Sequence, residues 1–210
     1  AMFNLDENQL NIGAIDASDP EDDPLTYTIT DDEISVDSSG LLTFVNPPNY
    51  ELKSLYSATI SVSDGSLNEA QELTISVNDV NEGPIFSSSP NFNIDENKTI
   101  IGVATAIDPE GDTVNYTISN TNMEIRSDGI LSFVDAPDFE KKSSYSEIIS
   151  ASDGVIATDQ SITVSINNLN DNAPIFNSEL IFSADENQKT IGSIQAEDAD
   201  NDSIEYAIFG

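Results

Sequence analysis

The chain has 210 residues, and thirty-nine acidic against six basic side chains give it a formal net charge of −33. This charge argues against binding to nucleic acid or anionic lipid, because both are negatively charged themselves. The absence of histidine and cysteine excludes disulfides, most zinc sites and any Ser-His-Asp or Cys-His catalytic arrangement. The remaining oxygen ligands are those that Ca²⁺ and Mg²⁺ prefer, although the same acidity is equally compatible with simple solvation of the surface.

The sequence repeats itself with a period of 89 to 90 residues. Asp6-Glu7-Asn8 recurs as Asp95-Glu96-Asn97 and as Asp185-Glu186-Asn187, at offsets of 89 and 90 residues. Ser63-Asp64-Gly65 recurs as Ser152-Asp153-Gly154, again 89 residues later. Self-similarity at a fixed period indicates a tandem array. We predict three modules, residues 1–82, 83–172 and 173–210, of which the first lacks its opening strand and the third is incomplete.

The predicted elements of the second module are all strands. In chain order they cover residues 85–86, 99–106, 113–119, 123–127, 130–134, 145–152 and 161–167. Ile162, Val164 and Ile166 alternate with polar residues, as in a half-buried strand, and Asp128-Gly129 is typical of a hairpin turn. About seven strands in some 90 residues, with no helical period between them, predict an all-β antiparallel sandwich. The third module has the pattern of only three strands, the last over 203–209, so we do not expect it to be stable alone.

Acidic residues gather where the predicted strands end, for example at Glu7, Asp19, Glu51, Asp64 and Asp79. Loops of a sandwich sort to two poles, so the exit of one module and the entry of the next bring these carboxylates together. Two carboxylates about 5 Å apart repel by roughly 3 kcal/mol at an effective dielectric constant near 20. We therefore predict cations at the junctions. Ca²⁺ fits better than Mg²⁺, because carbonyls, Asn amides and several carboxylates suit a loose shell of about 6–8 oxygens.

The motifs resemble those of the cadherin repeat over essentially the whole chain. Asp95-Glu96-Asn97 resembles the opening acidic motif of that family, and Asp138-Phe139-Glu140 resembles its central Asp-x-Glu. Ala151-Ser152-Asp153-Gly154 resembles its Ala-x-Asp-x-Gly motif. Residues 168–172 resemble its Asp-x-Asn-Asp-Asn linker, and Asp198-Ala199-Asp200 resembles the Asp-x-Asp that receives the linker. The resemblance implies an elongated tandem array of seven-strand Greek-key β-sandwiches of the cadherin or immunoglobulin-like type.

The resemblance also implies about three Ca²⁺ at each complete junction, with ligands from both neighbouring modules. The implied ligands of the first junction are Glu7, Glu51, Asp79, Glu82, Asp108, Glu110 and Asp153, with carbonyls of Val80 and Asn81. Those of the second are Glu96, Asp138, Glu140, Asp171, Asp198 and Asp200, with oxygens from Asn168, Leu169, Asn170 and Asn172. The second junction lacks a counterpart of Asp153, so we expect its lowest site to be weak or empty.

The family implies a non-enzymatic role as a calcium-rigidified extension or adhesion segment of a long extracellular, cell-surface protein. Its partners would be neighbouring modules of the same chain and possibly another cell-surface protein or a glycan. The chain has no tryptophan, which adhesive vertebrate cadherins use to anchor an exchanged strand. Its strong acidity and lack of cysteine resemble the cadherin-like repeats of large bacterial surface adhesins. No apolar run in this segment is long enough to insert into a membrane.

Two other interpretations remain open from the residues alone. One is a Ca²⁺-stabilised carbohydrate-binding or accessory β-sandwich of a secreted enzyme. Asp138 and Glu140 are paired acids, but carboxylates committed to a cation are poor general acids. A sugar platform also needs exposed aromatic rings, whereas Phe44, Tyr56, Phe133 and Tyr145 fall in strand patterns typical of a core. The other interpretation is the plain acidic sandwich of a salt-adapted organism, whose melting temperature a chelator would not change.

Overall fold

The computed structural model describes residues 1–210 and is built entirely of β-strands and loops. The chain divides into two units, Ala1–Glu82 and Gly83–Gly210. The all-β prediction is confirmed. No helix of the length and apolar character needed to span a membrane is present. The further division of the second unit after residue 172 stays a prediction.

The first unit is a sandwich of two sheets. The sheet order is β1-β7-β6-β3 in one layer and β2-β5-β4 in the other. Buried side chains of both layers, among them Leu42, Phe44, Leu73 and Ile75, form one hydrophobic core. The strands are β1 (Met2–Asp6), β2 (Asn11–Ala14), β3 (Thr26–Ile29), β4 (Ile34–Val36), β5 (Leu41–Phe44), β6 (Leu55–Ser63) and β7 (Asn68–Asn78).

The second unit repeats this sandwich and adds two short sheets. Its main layers have the strand orders β12-β15-β16-β9 and β10-β14-β13, and the pairs β11-β8 and β17-β18 form the short sheets. The strands are β8 (Ile85–Phe86), β9 (Asn91–Asp95), β10 (Ile100–Val103), β11 (Ala106–Ile107), β12 (Asn115–Ile118), β13 (Met123–Ile125), β14 (Ile130–Phe133), β15 (Ser144–Ser152), β16 (Ala157–Asn167), β17 (Ile175–Phe176) and β18 (Ala196–Glu197).

Local sequence signals explain most of these strands. Ile162, Val164 and Ile166 of β16 are all buried, as their alternation predicts. The turn between β13 and β14 lies where Asp128-Gly129 predicts it, and Gly129 has a φ of 80°. A Cβ atom at Gly129 would lie 2.1 Å from the carbonyl oxygen of Ala104, so this close approach also requires glycine.

Two strand pairings, one in each unit, depart from the predicted antiparallel pattern. β9 pairs in parallel with the end of β16, from Asn91 opposite Thr163 to Asp95 opposite Asn167, and β1 pairs with β7 in the same way. Residues 91–95 were not among the predicted strands, because a short strand carries no local signal for a partner about 70 residues away. The parallel direction has a functional consequence. It brings the Asp-Glu-Asn motif after β9 to the same end of the sheet as the chain leaving β16.

Residues 173–210 form very little regular structure. They contain only β17 and β18, and residues 203–209 do not form the predicted third strand. Ile208 and Phe209 are 94% and 92% exposed. These side chains lack an opposing sheet to cover them, which agrees with the expectation that this part is not a complete sandwich.

The fully buried leucines Leu42 and Leu131 test the two cores separately, because neither has any exposed surface. We expect Leu131→Ala to lower the free energy of unfolding of the second unit by about 2–5 kcal/mol, since it leaves a cavity in a packed core. Leu42→Ala should do the same to the first unit. Urea unfolding followed by circular dichroism measures both effects. Leu52→Ala, at a side chain that is 86% exposed, is the control and should change little.

Candidate metal centre

A buried glutamate anchors the candidate site of the second unit. Glu96 comes directly after β9 and is only 1% exposed. Its Oε1 accepts a hydrogen bond from the backbone N–H of Leu169 at 2.8 Å, and its Oε2 accepts one from the N–H of Phe139 at 2.9 Å. Burial of a carboxylate is tolerated only when such donors replace water. Glu96 thereby holds together the end of β9, the loop before β15 and the linker after β16.

Four carboxylates converge around Glu96. Glu96, Glu140, Asp171 and Asp200 each place one oxygen within 4.8 Å of the oxygens of the other three. Glu96 and Asp200 are buried, whereas Glu140 and Asp171 are exposed. None of the four belongs to an ion pair with lysine or arginine. The local charge is therefore strongly negative and composed only of oxygen ligands.

Amides and backbone N–H groups are the donors that face these carboxylates. The backbone N–H groups of Asp171 and Asn172 donate to Oδ2 of Asp200 at 3.0 and 2.8 Å. The Asn172 side-chain amide donates to Asp200 at 2.9 Å and to Asp171 at 2.7 Å. The hydrogen bond from this amide is the main cause that lowers the pKa of Asp200. Loss of surrounding water, followed by the charges of Glu96 and Asp200, raises the pKa of Glu140.

A tight loop presents the acidic residues that follow β18. Asp198 Oδ1 accepts hydrogen bonds from the N–H groups of Asp200 at 3.0 Å and Asp202 at 3.4 Å, while Asn201 takes a left-handed φ of 61°. One oxygen of each of the three aspartates lies within 4.8 Å of the others. Asp202 was not among the predicted ligands. The pattern that could have identified it is an aspartate four residues after the first residue of the Asp-x-Asp/Glu motif, which occurs also at Asp23 and Asp112.

The other predicted ligands of the second junction differ in their contacts. Asn168 donates from its side chain to the carbonyl oxygen of Asp200 at 3.0 Å, and Leu169 contributes its N–H to Glu96. Asn170 is exposed. Asp138 does not belong to the carboxylate cluster; its Oδ2 accepts a hydrogen bond from Nζ of Lys141 at 2.7 Å, and this contact lowers the pKa of Asp138.

The first unit contains an equivalent arrangement around Glu7, which is 2% exposed. Its Oε1 accepts from the N–H of Val80 at 2.9 Å and its Oε2 from the N–H of Tyr50 at 2.8 Å. One oxygen each of Glu7, Glu51 and Asp79 lies within 4.8 Å of the other two. The hydrogen bonds of Glu7 and Glu96 therefore involve equivalent residues, 89 positions apart, whereas Asp79 is equivalent to Asn168 and not to Asp171.

Asp108 in the second unit carries a buried oxygen without a hydrogen bond. The residue is 4% exposed, its Oδ1 accepts from the N–H of Asp112 at 3.0 Å, and its Oδ2 has no partner. Buried polar atoms rarely lack a hydrogen-bond partner, and the binding of a cation is one of the usual reasons when they do. The remaining candidates are Asn81 and Glu82 in the first unit and Glu110 and Asp153 in the second.

The aromatic rings considered as sugar contacts belong to the cores. Phe44, Tyr56 and Phe133 are at most 5% exposed, and Tyr145 packs against the core of the second unit. Phe44 contacts Tyr56, and Phe133 contacts Tyr145, with ring centroids 4.8 Å apart in both pairs. The predicted core placement of these rings is confirmed.

Comparison with known proteins shows what the chain resembles. No protein-family model matches the chain. It is 28% identical over 200 residues to Cadherin-3 of Caenorhabditis elegans, covering 84% of this chain and 6% of that protein. It is 29% identical over 209 residues to cadherin-related family member 1 of Mus musculus, covering 84% of this chain and 24% of that protein. The chain is similar to cadherins over most of its length.

The fold of the chain also matches a solved structure. Mouse cadherin-23 EC22-24 superimposes with a TM-score of 0.54 at 22% identity, covering 94% of this chain and 74% of that one. The Greek-key sandwich implied by the resemblance is therefore confirmed. The chain spans only 6% and 24% of the length of the two curated relatives, so it corresponds to a small part of proteins of that kind. The more specific expectation of a bacterial surface adhesin stays a prediction.

Proposed function

We propose that this cadherin segment binds Ca²⁺ at the linker that follows β16 and that the bound ion makes the linker rigid. The observation that carries the proposal is the meeting of four carboxylate oxygens, each within 4.8 Å of the others, with no cationic side chain paired to any of them. Like charges this close repel one another, and a divalent cation removes that repulsion. Strands on either side would then be joined through the ion.

The donor set fits Ca²⁺ on chemical grounds. Glu96, Glu140, Asp171, Asp198 and Asp200 supply carboxylates, and the linker adds carbonyl and amide oxygens, in the number that a Ca²⁺ shell of about 6–8 oxygens requires. Ligation by the Asn172 side chain would require a half-turn of its amide, because its nitrogen now faces Asp171 and Asp200. The unpartnered oxygen of Asp108 supports a cation role for the same motif elsewhere in the chain. The count of about three ions per junction stays a prediction.

The whole protein that contains this segment would be a long extracellular, cell-surface protein in which such repeats extend or support an adhesive region. Its partners would be neighbouring modules of the same chain and another cell-surface protein or a glycan. We assign no catalytic role, because the carboxylates of the site are held by backbone N–H groups rather than arranged in a cleft. The carbohydrate-binding alternative is not favoured, since the aromatic rings it would use lie in the cores.

Isothermal titration calorimetry tests calcium binding directly, and hydrogen exchange tests its effect on the linker. Saturation with Ca²⁺ should slow exchange of the amides of residues 168–172, whereas Mg²⁺ at the same concentration should do so less. Absence of measurable heat at millimolar Ca²⁺, with unchanged exchange in the linker, would contradict the proposal.

Lys141 offers a second test, because it occupies the carboxylate of Asp138. We expect Lys141→Met to strengthen calcium binding by about two- to fivefold, because it removes the cation that competes with Ca²⁺ for Asp138. The expected gain is small, since an exposed ion pair is weak. Titration at low ionic strength measures the change. Lys142→Met is the matched control, because Lys142 lies over the ring of Tyr145 instead. Unchanged affinity after Lys141→Met would remove Asp138 from the set of candidate ligands.

A further inference from the structure

Three consecutive residues, starting at the last residue of β9, contact three alternate residues that start at the last residue of β16. Asp95 accepts a hydrogen bond from the Asn167 side chain at 3.0 Å, and Glu96 accepts one from the Leu169 N–H at 2.8 Å. Asn97 donates from its side-chain amide to Oδ2 of Asp171. Alternate residues of an extended segment face the same side, so residues 167, 169 and 171 can all be reached from one short turn. We call these three contacts the Asp-Glu-Asn clasp.

The first unit contains the same clasp with a different linker sequence. Its three contacts are Asn78 Nδ2 to Asp6 Oδ1 at 2.9 Å, Val80 N–H to Glu7 Oε1 at 2.9 Å and Asn8 Nδ2 to Glu82 Oε1 at 2.7 Å. The acceptor is Asp171 in one linker and Glu82 in the other. Both carboxylates nevertheless accept a hydrogen bond from the side-chain amide of the asparagine in the Asp-Glu-Asn motif. The contact therefore depends on a carboxylate and an asparagine, and not on one particular linker sequence.

The asparagine satisfies two requirements that few residues meet together. Asn97 and Asn8 have left-handed φ angles of 65° and 63°, which asparagine tolerates better than most residues other than glycine. Their backbone N–H groups donate to the carbonyls of Pro137 and Pro48 at 3.0 and 2.9 Å. The side chain of Asn97 then presents an uncharged N–H donor to Asp171, a carboxylate that already lies among other carboxylates. Aspartate would keep the turn but repel that carboxylate, and glycine would keep the turn but lack the donor.

We propose that the clasp orders the linker before any cation binds, so that Asp95 and Asn97 are positioning residues and not metal ligands. The consequence for calcium affinity rests on the proposed function above, whereas the order of the metal-free linker does not. In the metal-free protein, the Asn97 amide holds the Asp171 carboxylate toward Glu96, Glu140 and Asp200. A cation then meets carboxylates that are already assembled, and the linker loses less conformational freedom on binding.

The substitution Asn97→Gly isolates the amide, because glycine also adopts the left-handed turn. In calcium-free protein we expect exchange of the Leu169 and Asp171 amides to become about fivefold faster, the effect of losing one hydrogen bond. Calcium affinity at this linker should fall by a similar factor. Amides of Ile162 and Val164 should be unaffected. Asn187→Gly is the matched control, since Asn187 has the same left-handed φ, 68°, but its side chain does not donate to the linker as that of Asn97 does.

Hydrogen exchange by nuclear magnetic resonance, with and without Ca²⁺, separates the two ideas. Faster linker exchange in Asn97→Gly supports the clasp even if the wild-type protein binds no Ca²⁺, a result that would overturn only the proposed function. Unchanged exchange overturns the clasp even if Ca²⁺ binds. Unchanged exchange together with weaker Ca²⁺ binding would make Asn97 a ligand, which also overturns its positioning role. Asn8→Gly should instead accelerate amide exchange at residues 80–82 and leave exchange at residues 168–172 as in wild type.

Discussion

Replacement of Glu96 by alanine should lower the free energy of unfolding of the second unit by about 2–4 kcal/mol and abolish calcium binding at its linker. The carboxylate is 1% exposed and accepts hydrogen bonds from Leu169 and Phe139. Alanine leaves both N–H groups without their acceptor at part-buried positions, and each such loss costs about 1–3 kcal/mol. The effect on stability should be present without calcium, because these bonds exist in the metal-free protein.

Urea unfolding in the presence of a chelator measures this effect, and calorimetry measures the loss of calcium binding. Glu186→Ala is the matched control, because Glu186 holds the same motif position in the third copy but is exposed. The loss of unfolding free energy in Glu96→Gln should lie between those of Glu96→Ala and Glu186→Ala, since the amide oxygen of glutamine can satisfy only one of the two N–H donors. A stability of Glu96→Ala equal to that of wild type would mean that Glu96 does not join the linker to the sandwich.

Chelation of Ca²⁺ should lower the melting temperature by roughly 10 °C or more relative to protein in millimolar Ca²⁺. A ligand at about one hundred times its Kd stabilises the folded state by about 2.7 kcal/mol. Each kcal/mol shifts the melting temperature of a domain of about 60–100 residues by about 4–8 °C. Relief of repulsion among the carboxylates of Glu96, Glu140, Asp171 and Asp200 is the physical source of this stabilisation.

Scanning calorimetry with calcium, with chelator and with magnesium at equal ionic strength provides the measurement. Asp171→Ala should remove the calcium-dependent increase that belongs to the second linker, and Glu51→Ala should leave that increase intact, because Glu51 lies in the first unit. Identical melting in calcium and chelator would instead support the plain acidic sandwich of a salt-adapted protein.

Local patterns in the sequence were sufficient for most of the strands and for the resemblance to cadherins. The alternation of Ile162, Val164 and Ile166 predicts a half-buried strand without knowledge of its partner, because side chains of a strand point to opposite faces in turn. The repetition of Asp-Glu-Asn and Ser-Asp-Gly after 89 residues predicts tandem modules. Each of these motifs spans only three residues, so it can be recognised, like the alternation of a strand, without knowledge of the fold. The cadherin resemblance rests on these motifs, and relatives along most of the chain bear it out.

The tertiary structure alone decided which of the acidic residues meet. Glu96 and Leu169 are 73 positions apart, and only the parallel pairing of β9 with β16 brings them into contact. The same pairing creates the Asp-Glu-Asn clasp, whereas Asp138, two residues before Glu140, contacts Lys141 instead of the cluster. Composition and motif order determine that carboxylates are abundant at strand ends. Strand register determines their distances, because it depends on the packing of the whole sandwich and not on neighbouring residues.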